Sequence, residues 1–557
     1  MTTQSVSTAN TGVEARDPWL PMIVIALAQI LLSFNISALP VSIGAIVDEF
    51  NTTPASVSTA LVVYSLVVAG FVMLGAKLGR LLGSRLMFQV GVAVFGVAMG
   101  AMAFSTSDRA MIQVQGIAGL AAVIVVPSLV VLIASHYRGA QQAQALGYLG
   151  AAQASAGVLA FLIVGTLGTL AGWRIPFGLL VFLAIAILIL SFRLRPVERQ
   201  PGVGIDGVGA VLAAASVMLI SFGFNSLNDW GLVLRRPGAP FDILGLSPAP
   251  LLIVLGIFLG QAFFTWSNMR QRLDMPTLID LRVLDSVKER AATFALLIIG
   301  GLGPAVNFLI PLYIQIVQGR SGLQTAVAVI PYSLAIFVGT AFSVRLFDRV
   351  SSRWLGRIGF VVVAAGLTLL AFTVSNDWGT PAVIFSLLVL GLGEGALLTL
   401  VFTVLVSASP KELAGDVGAL RGTVNNLSTA VGTAVAGALA IGILSLNITS
   451  SVQNNPAIPP ALLQQVNLDN VNFVSNDQLD ELLAQTTATP EQQAEAVRIN
   501  EAARLRALKM SFLILAGVAL LAVLPASGLP NYAPSEVPSE AAPQPEPKGR
   551  GKKTAPA

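Results

Sequence analysis

Apolar residues run in long, nearly unbroken stretches along this chain, and charge is confined to the short intervals between them. A helix needs about 20 apolar residues to cross a bilayer. Fourteen stretches of that kind fall near residues 20–43, 55–75, 86–105, 110–135, 142–171, 175–193, 207–227, 248–267, 291–316, 322–343, 355–375, 380–406, 420–446 and 507–526. The pattern predicts an all-α polytopic membrane protein with fourteen transmembrane helices, spans 1 to 14. The first stretch is too long for a signal-peptide core and has no small-residue cleavage pattern after it, so it reads as a retained span.

An even number of spans puts both termini on one side. The segments sharing that side hold most of the 32 cations, including Lys77, Arg80, Arg85, Arg138, Arg193, Arg195, Arg349, Arg353, Arg357 and Arg421. Cytoplasmic loops carry such an excess, so the reading is a multi-pass plasma (inner) membrane protein with cytoplasmic ends. The segmentation is then a cytoplasmic N-terminus over 1–18, a six-helix bundle over 19–195 and two inserted helices with linkers over 196–290. Spans 9–13 follow over 291–446, an extracytoplasmic segment over 447–506, span 14 over 507–526 and a disordered cytoplasmic tail over 527–557. The 447–506 segment holds seven acids and three cations and is a possible docking element for a protein partner. Thr489, Pro490 and Gln492 have the form of a capped helix start, and that helix could run directly into span 14.

Composition narrows the function classes. The chain is 55% hydrophobic and 11% charged, and its net charge of +4 needs no nucleic-acid partner. It has no cysteine and a single histidine, His136, which reads as an interfacial residue. No histidine or thiolate metal site can be built, no cofactor is implied, and no nucleophile, base and oxyanion set points to an enzyme. No GxxxxGK[ST] motif is present, which argues against a nucleotide-driven pump.

A weak internal repeat is in register. "AKLGRLLGSR" after span 2 aligns with "VRLFDRVSSR" after span 10, matching Lys77 with Arg345, Arg80 with Asp348 and Arg85 with Arg353. Two six-span halves with an inserted pair between them follow the repeat logic of secondary transporters.

Together with "ALP" at 38–40, "QG" at 115–116, "GWRIPF" at 172–177, "IDGVGAVL" at 205–212, "DWG" at 229–231 and "PLYIQIVQGRSGLQTA" at 311–326, the chain resembles the major facilitator superfamily. Within it, the resemblance is to the fourteen-span drug:proton antiporter group of EmrB- and QacA-like exporters. It implies the major facilitator fold, two six-helix bundles plus two inserted helices, with a substrate cavity between halves that rock to open on alternate sides. The chain departs from the group's pattern at charged positions. Arg80 replaces an acid, Ser84 a basic residue, Leu31 an acid of span 1, Ile112 an arginine of span 4, and Asn425 stands where many relatives carry an arginine. In the family the acid at the Arg80 position locks the loop in the outward-facing state. Asp348 in the second half is one place for that lock to have moved, paired with Arg349, Arg353 or Arg421, and Lys77, Arg80 and Arg85 complete the candidate gate.

One acid of the 28, Glu394 in span 12, lies well inside a span. Such a group costs about 2.5–3.5 kcal/mol on insertion scales and usually faces a cavity or a relay. Glu394 is the candidate for proton coupling, with interhelical packing as the alternative role. Uncharged polar residues recur in the spans that would line a cavity: Gln29, Asn35, Tyr64, Gln113, Gln115, Gln153, Asn307, Gln315, Tyr332, Asn425 and Asn426. They could bind an amphipathic small molecule or a lipid, or join helices to one another. The expected function is export of amphipathic or lipophilic compounds by proton antiport. A lipid or glycolipid translocator, an uncoupled facilitator, or a sensor or assembly partner are the alternatives, and membrane lipids and protons are implied partners.

Overall fold

The computed structural model describes residues 17–531 apart from 53, 201, 203, 237, 242–243, 319, 321, 348, 376, 408–412, 454, 456–478, 480–482, 485 and 487. Its helices in chain order are α1 (Leu20–Val41), α2 (Ile43–Phe50), α3 (Pro54–Leu82), α4 (Ser84–Ala103), α5 (Asp108–His136), α6 (Gly139–Ala171), α7 (Arg174–Ser191) and α8 (Gly207–Trp230). They continue as α9 (Pro248–Arg272), α10 (Val287–Pro311), α11 (Gly322–Leu346), α12 (Ser352–Thr373), α13 (Pro381–Ser407), α14 (Ala414–Gln453), α15 (Pro490–Leu521) and α16 (Val523–Ala526). Fourteen of these are long and apolar enough to cross a membrane. The short α2 follows span 1 where the hydropathy pattern gave no separate element, and α10 runs into a π-helical turn at Leu312–Val317.

Local chemistry sets the helix starts. Ser107, Asp206 and Ser247 cap α5, α8 and α9 through their side-chain oxygens, each satisfying an N–H that the first turn leaves open. Ser286 with Glu289 and Thr489 with Gln492 close full capping boxes on α10 and α15. The helix begun at Pro490 does continue through span 14.

Helices α1 and α3–α7 pack into one bundle and α10–α15 into a second, while α8 and α9 pair with each other and α8 lies against α3 and α14. Between apolar helices in lipid, association depends on close fit and small residues. The two bundles meet where α6 lies against α11 and α13. A Cβ on Gly150 would stand 3.3 Å from Thr399 Oγ1, so a larger residue there would hold the bundles apart.

Polar fastenings explain several sequence motifs. One end of the bundle, where α1 begins, α3 ends and α14 begins, is the basic face; the other is the far face. At the far face, the "GWR" turn presents Trp173 and Arg174 to Glu49 of α2, and Arg174 also donates to the Ser105 carbonyl at 2.7 Å. The Arg174 hydrogen bond holds the Glu49 carboxyl below the usual glutamate range, against a smaller opposing effect of burial. The aspartate of "IDGVGAVL", Asp206, caps α8, accepts from Trp266 Nε1 of α9 at 3.1 Å and lies 3.7 Å from Arg270, joining the inserted pair.

The repeat also has a physical counterpart. Arg85 at the start of α4 donates to the Phe192 carbonyl just past α7, at 2.8 Å. Arg353 at the start of α12 donates to the Leu529 carbonyl just past α16, at 3.1 Å. Each aligned arginine ties the third span of its half to the end of the last. The expectation of a disordered tail over 527–557 is corrected at its start: Leu529 is fully buried, and Leu529 and Pro530 accept hydrogen bonds from Arg353. Residues 532–557 lie outside the described residues, as do 1–16 of the N-terminal segment.

Candidate functional site

Three layers of polar side chains follow one another from the basic face, two in the seam between the bundles and the third inside the second bundle. The first is an ion-pair cluster. Lys77 and Arg80 project from the last turns of α3, and Asp416 from the first turn of α14 in the other bundle. Asp416 is 1% exposed, with Lys77 Nζ at 3.6 Å from one carboxylate oxygen and Arg80 Nη1 at 3.1 Å from the other. Arg80 also donates from Nε to Gln200 Oε1 at 2.9 Å, and its carbonyl accepts from Gln200 N–H. Two glycines let α14 come close enough: a Cβ on Gly418 would stand 3.2 Å from Pro127 Cα of α5, and one on Gly422 would stand 3.0 Å from a Val72 methyl of α3.

The expected gate residues separate into those inside and those outside this cluster. Asp348 lies outside the described residues, Arg349 is exposed, and Arg353 is taken up by the carbonyls beyond α16. Arg85 holds the Phe192 carbonyl within its own bundle. Of the expected gate residues, Lys77 and Arg80 are brought together across the seam, by an acid that the hydropathy pattern put at a span end. The signal was present in "AGDVGALRGTVNN": α14 begins six residues before the apolar run assigned to span 13, which places Asp416 in its first turn and Arg421 two turns in.

The second layer is Arg421 itself. Counted with the cations of the cytoplasmic side and offered as a partner for Asp348, it lies inside α14, 6% exposed. Its Nη2 donates to Gln153 Oε1 of α6 at 3.2 Å, and its guanidinium carbon sits 3.9 Å from the centroid of the Phe402 ring of α13. A cation therefore remains in the seam, even though Asn425 replaces the arginine of many relatives. Asn425 stands near α10, where a Cβ on Gly300 would lie 3.9 Å from its Oδ1, and Asn426 donates to the Gly422 carbonyl of its own helix.

The third layer is Glu394 of α13. It is 5% exposed and accepts a hydrogen bond from the Tyr332 hydroxyl of α11, itself 1% exposed. The carboxylate fills the space that a side chain on Gly303 of α10 would need. On the α11 side, a Cβ on Gly391 would lie 2.8 Å from Ala335 Cβ, and Gly395 is equally tight against the Ile336 backbone. Three helices thus converge on one acid, with no cation among its contacts in the described residues.

The remaining candidates separate into two groups. Asn35 and Gln115 are fully buried and exchange two hydrogen bonds of 3.0 Å between α1 and α5, so they join those helices. Gln29 donates to Ser33 one turn on, and Tyr64 is buried in the first bundle. Gln113 and Asn307 are exposed, and the Gln315 side chain lies outside what is described. His136 bridges the end of α5 to the segment after α7, accepting at Nε2 from Arg195 N–H at 3.1 Å. Among the described residues no cluster of three or more His, Cys, Asp or Glu could hold a metal ion. At the far face, a groove of about 610 Å³ lies between α14 and α15, lined by Asn447, Asn455, Glu495, Arg498 and Arg506. Much of the acidic 447–506 segment beside it lies outside the described residues.

Comparison with known proteins agrees with this architecture. The family model described as Major Facilitator Superfamily matches residues 25–433. The chain is 26% identical over 443 residues to the tetracenomycin C resistance and export protein of Streptomyces glaucescens, covering 78% of this chain and 77% of that one. It is 26% identical over 432 residues to the multidrug efflux pump LfrA of Mycolicibacterium smegmatis, covering 77% and 82%. The crystal structure of the human organic anion transporter MFSD10 (TETRAN) superposes with a TM-score of 0.56 at 12% identity, covering 91% of this chain and 99% of that one, which is a likeness of fold.

Proposed function

The chain belongs to the Major Facilitator Superfamily, and from that premise we propose that it is a secondary active exporter of amphipathic small molecules, driven by proton antiport through Glu394. The supporting observation is the Glu394 and Tyr332 pair, a buried acid held by a neutral hydroxyl where α10, α11 and α13 meet. An intramembrane acid of this kind is a natural proton carrier. Binding a proton neutralises the carboxylate and changes its bond to Tyr332; releasing the proton restores it. Both α11 and α13 contact α6 of the other bundle, so the change reaches the seam directly.

In this reading the basic face is cytoplasmic, as the positive-inside rule implies. The Lys77, Arg80 and Asp416 cluster closes that face, and alternating access requires the cluster to part when the site loads from the cytoplasm. Export is also the activity named for the relatives from Streptomyces glaucescens and Mycolicibacterium smegmatis.

The test uses purified protein in liposomes, a panel of fluorescent amphipathic dyes and an imposed pH gradient. The wild type should concentrate dye against its gradient, and Glu394→Gln should cut that gradient-driven movement about tenfold or more while leaving dye binding intact. Equal movement with and without the pH gradient, or full coupled transport by Glu394→Gln, overturns the proposal.

A further inference from the structure

Arg421 has no counter-charge among the described residues. Its partners among the described residues are a neutral amide, Gln153, and an aromatic ring, Phe402. The acids of the same two helices are engaged elsewhere: Asp416 holds Lys77 and Arg80, and Glu394 holds Tyr332. A guanidinium carries five N–H donors in a planar fork shaped to take two oxygens at once. Its side-chain hydrogen bond among the described residues, to a single amide oxygen, leaves most of that fork unused. A cation kept inside a span without an ion partner usually faces a transport path.

The surroundings fit that role. Arg421 lies where α6, α13 and α14 converge, so helices of both bundles frame it. Toward the basic face, the close contact at Gly418 and the Asp416 cluster seal the seam behind it. Gln153 can yield its hydrogen bond at small cost, because an amide oxygen is a weaker acceptor for a guanidinium than a carboxylate is.

We infer that Arg421 anchors an anionic group of the transported molecule, so that the preferred substrate is an amphipathic organic anion, an apolar body bearing a carboxylate or an ionised phenol. This inference rests on the transport reading above and specifies its substrate class. The ligand oxygens take the place of Gln153 Oε1, and the apolar body lies along the seam. A cationic amphiphile meets the same guanidinium as a repulsion.

The experiment compares two dyes with one body, rhodamine B, which carries a carboxylate, and its ethyl ester, which does not. Binding to the purified full chain is read by fluorescence anisotropy, and movement is read in liposomes. The wild type should bind the carboxylate at least about tenfold more tightly than the ester, the scale of a charge-assisted bidentate contact. Arg421→Gln should reduce that preference to about twofold or less, and Arg421→Lys, which keeps the charge but loses the fork, should retain part of it. A measurement on the wild type alone guards against a misfolded variant: rhodamine B, and not its ester, should protect Arg421 from modification by phenylglyoxal, mapped by mass spectrometry. Equal binding of the two dyes, binding of neither, a preference that survives Arg421→Gln, or absence of protection overturns the inference. Binding with the expected preference but without movement of either dye leaves the anchor in place and counts against the transport reading alone.

Discussion

At the scale of single residues, Asp416 pairs with two cations through one carboxylate, and it does so across the seam. The family pattern that the sequence resembles has an acid at the position of Arg80. Here the cation stands in the first bundle and the acid in the second. Removing one partner of a buried pair costs about 3–5 kcal/mol, because it strands the other charge. Asp416→Asn should therefore shift the protein toward states open at the basic face. The shift can be read on a chain without native cysteine by placing one at Val126, which packs against Gly422. Its reaction with a membrane-impermeant maleimide should speed up about tenfold or more in Asp416→Asn, the smallest change such an energy allows if only part of it separates the two states. The exchange Arg80→Asp with Asp416→Arg should restore part of the slow rate. Unchanged labelling in Asp416→Asn would show that the cluster does not hold the face closed.

At the scale of elements, the far-face tie of α2 to the start of α7 has its own signature. Glu49 is charged and held by Arg174, and its carboxyl is kept below the usual glutamate range chiefly by that hydrogen bond. A depressed carboxylate contributes stability above its unfolded value, and loses it as pH falls through the lower folded value. Glu49 is half-exposed, so the contribution is small and screened. The thermal stability of wild-type protein should exceed that of Glu49→Gln near pH 7, and the difference should shrink as pH drops below about 4.3. A difference that stays constant over that range would remove the ion pair from the account. Element boundaries also show what could be read beforehand. The fourteen spans were legible because a bilayer demands long apolar runs, and the α15 cap because Thr489, Pro490 and Gln492 are a local signal. The start of α14 was not, because a hydropathy window begins where polar residues end, while this helix carries Asp416 in its first turn.

At the scale of the whole molecule, the architecture of two bundles with an inserted pair was legible from the span count and from one repeated turn, and the Arg85 and Arg353 hydrogen bonds give that repeat a shared structural task. The site was legible in part. Glu394 stood out because it is an acid within an apolar run, but its partner Tyr332 is 62 residues away, and Arg80 and Asp416 are 336 apart. No spacing rule joins residues that meet only through the packing of separate helices. The same limit explains why Asn35 and Gln115, each a plausible lining residue alone, are found bonded to one another across 80 residues.

If substrate export and proton movement are two sides of one cycle, each gradient must be able to drive the other. Liposomes holding the protein and a pH-sensitive dye are loaded with an exported compound at equal pH on both sides, and the compound is then diluted outside. The account predicts that the compound leaves down its gradient while protons enter, acidifying the lumen, and that Glu394→Gln abolishes the acidification. Substrate efflux at the wild-type rate with no change in luminal pH would contradict it.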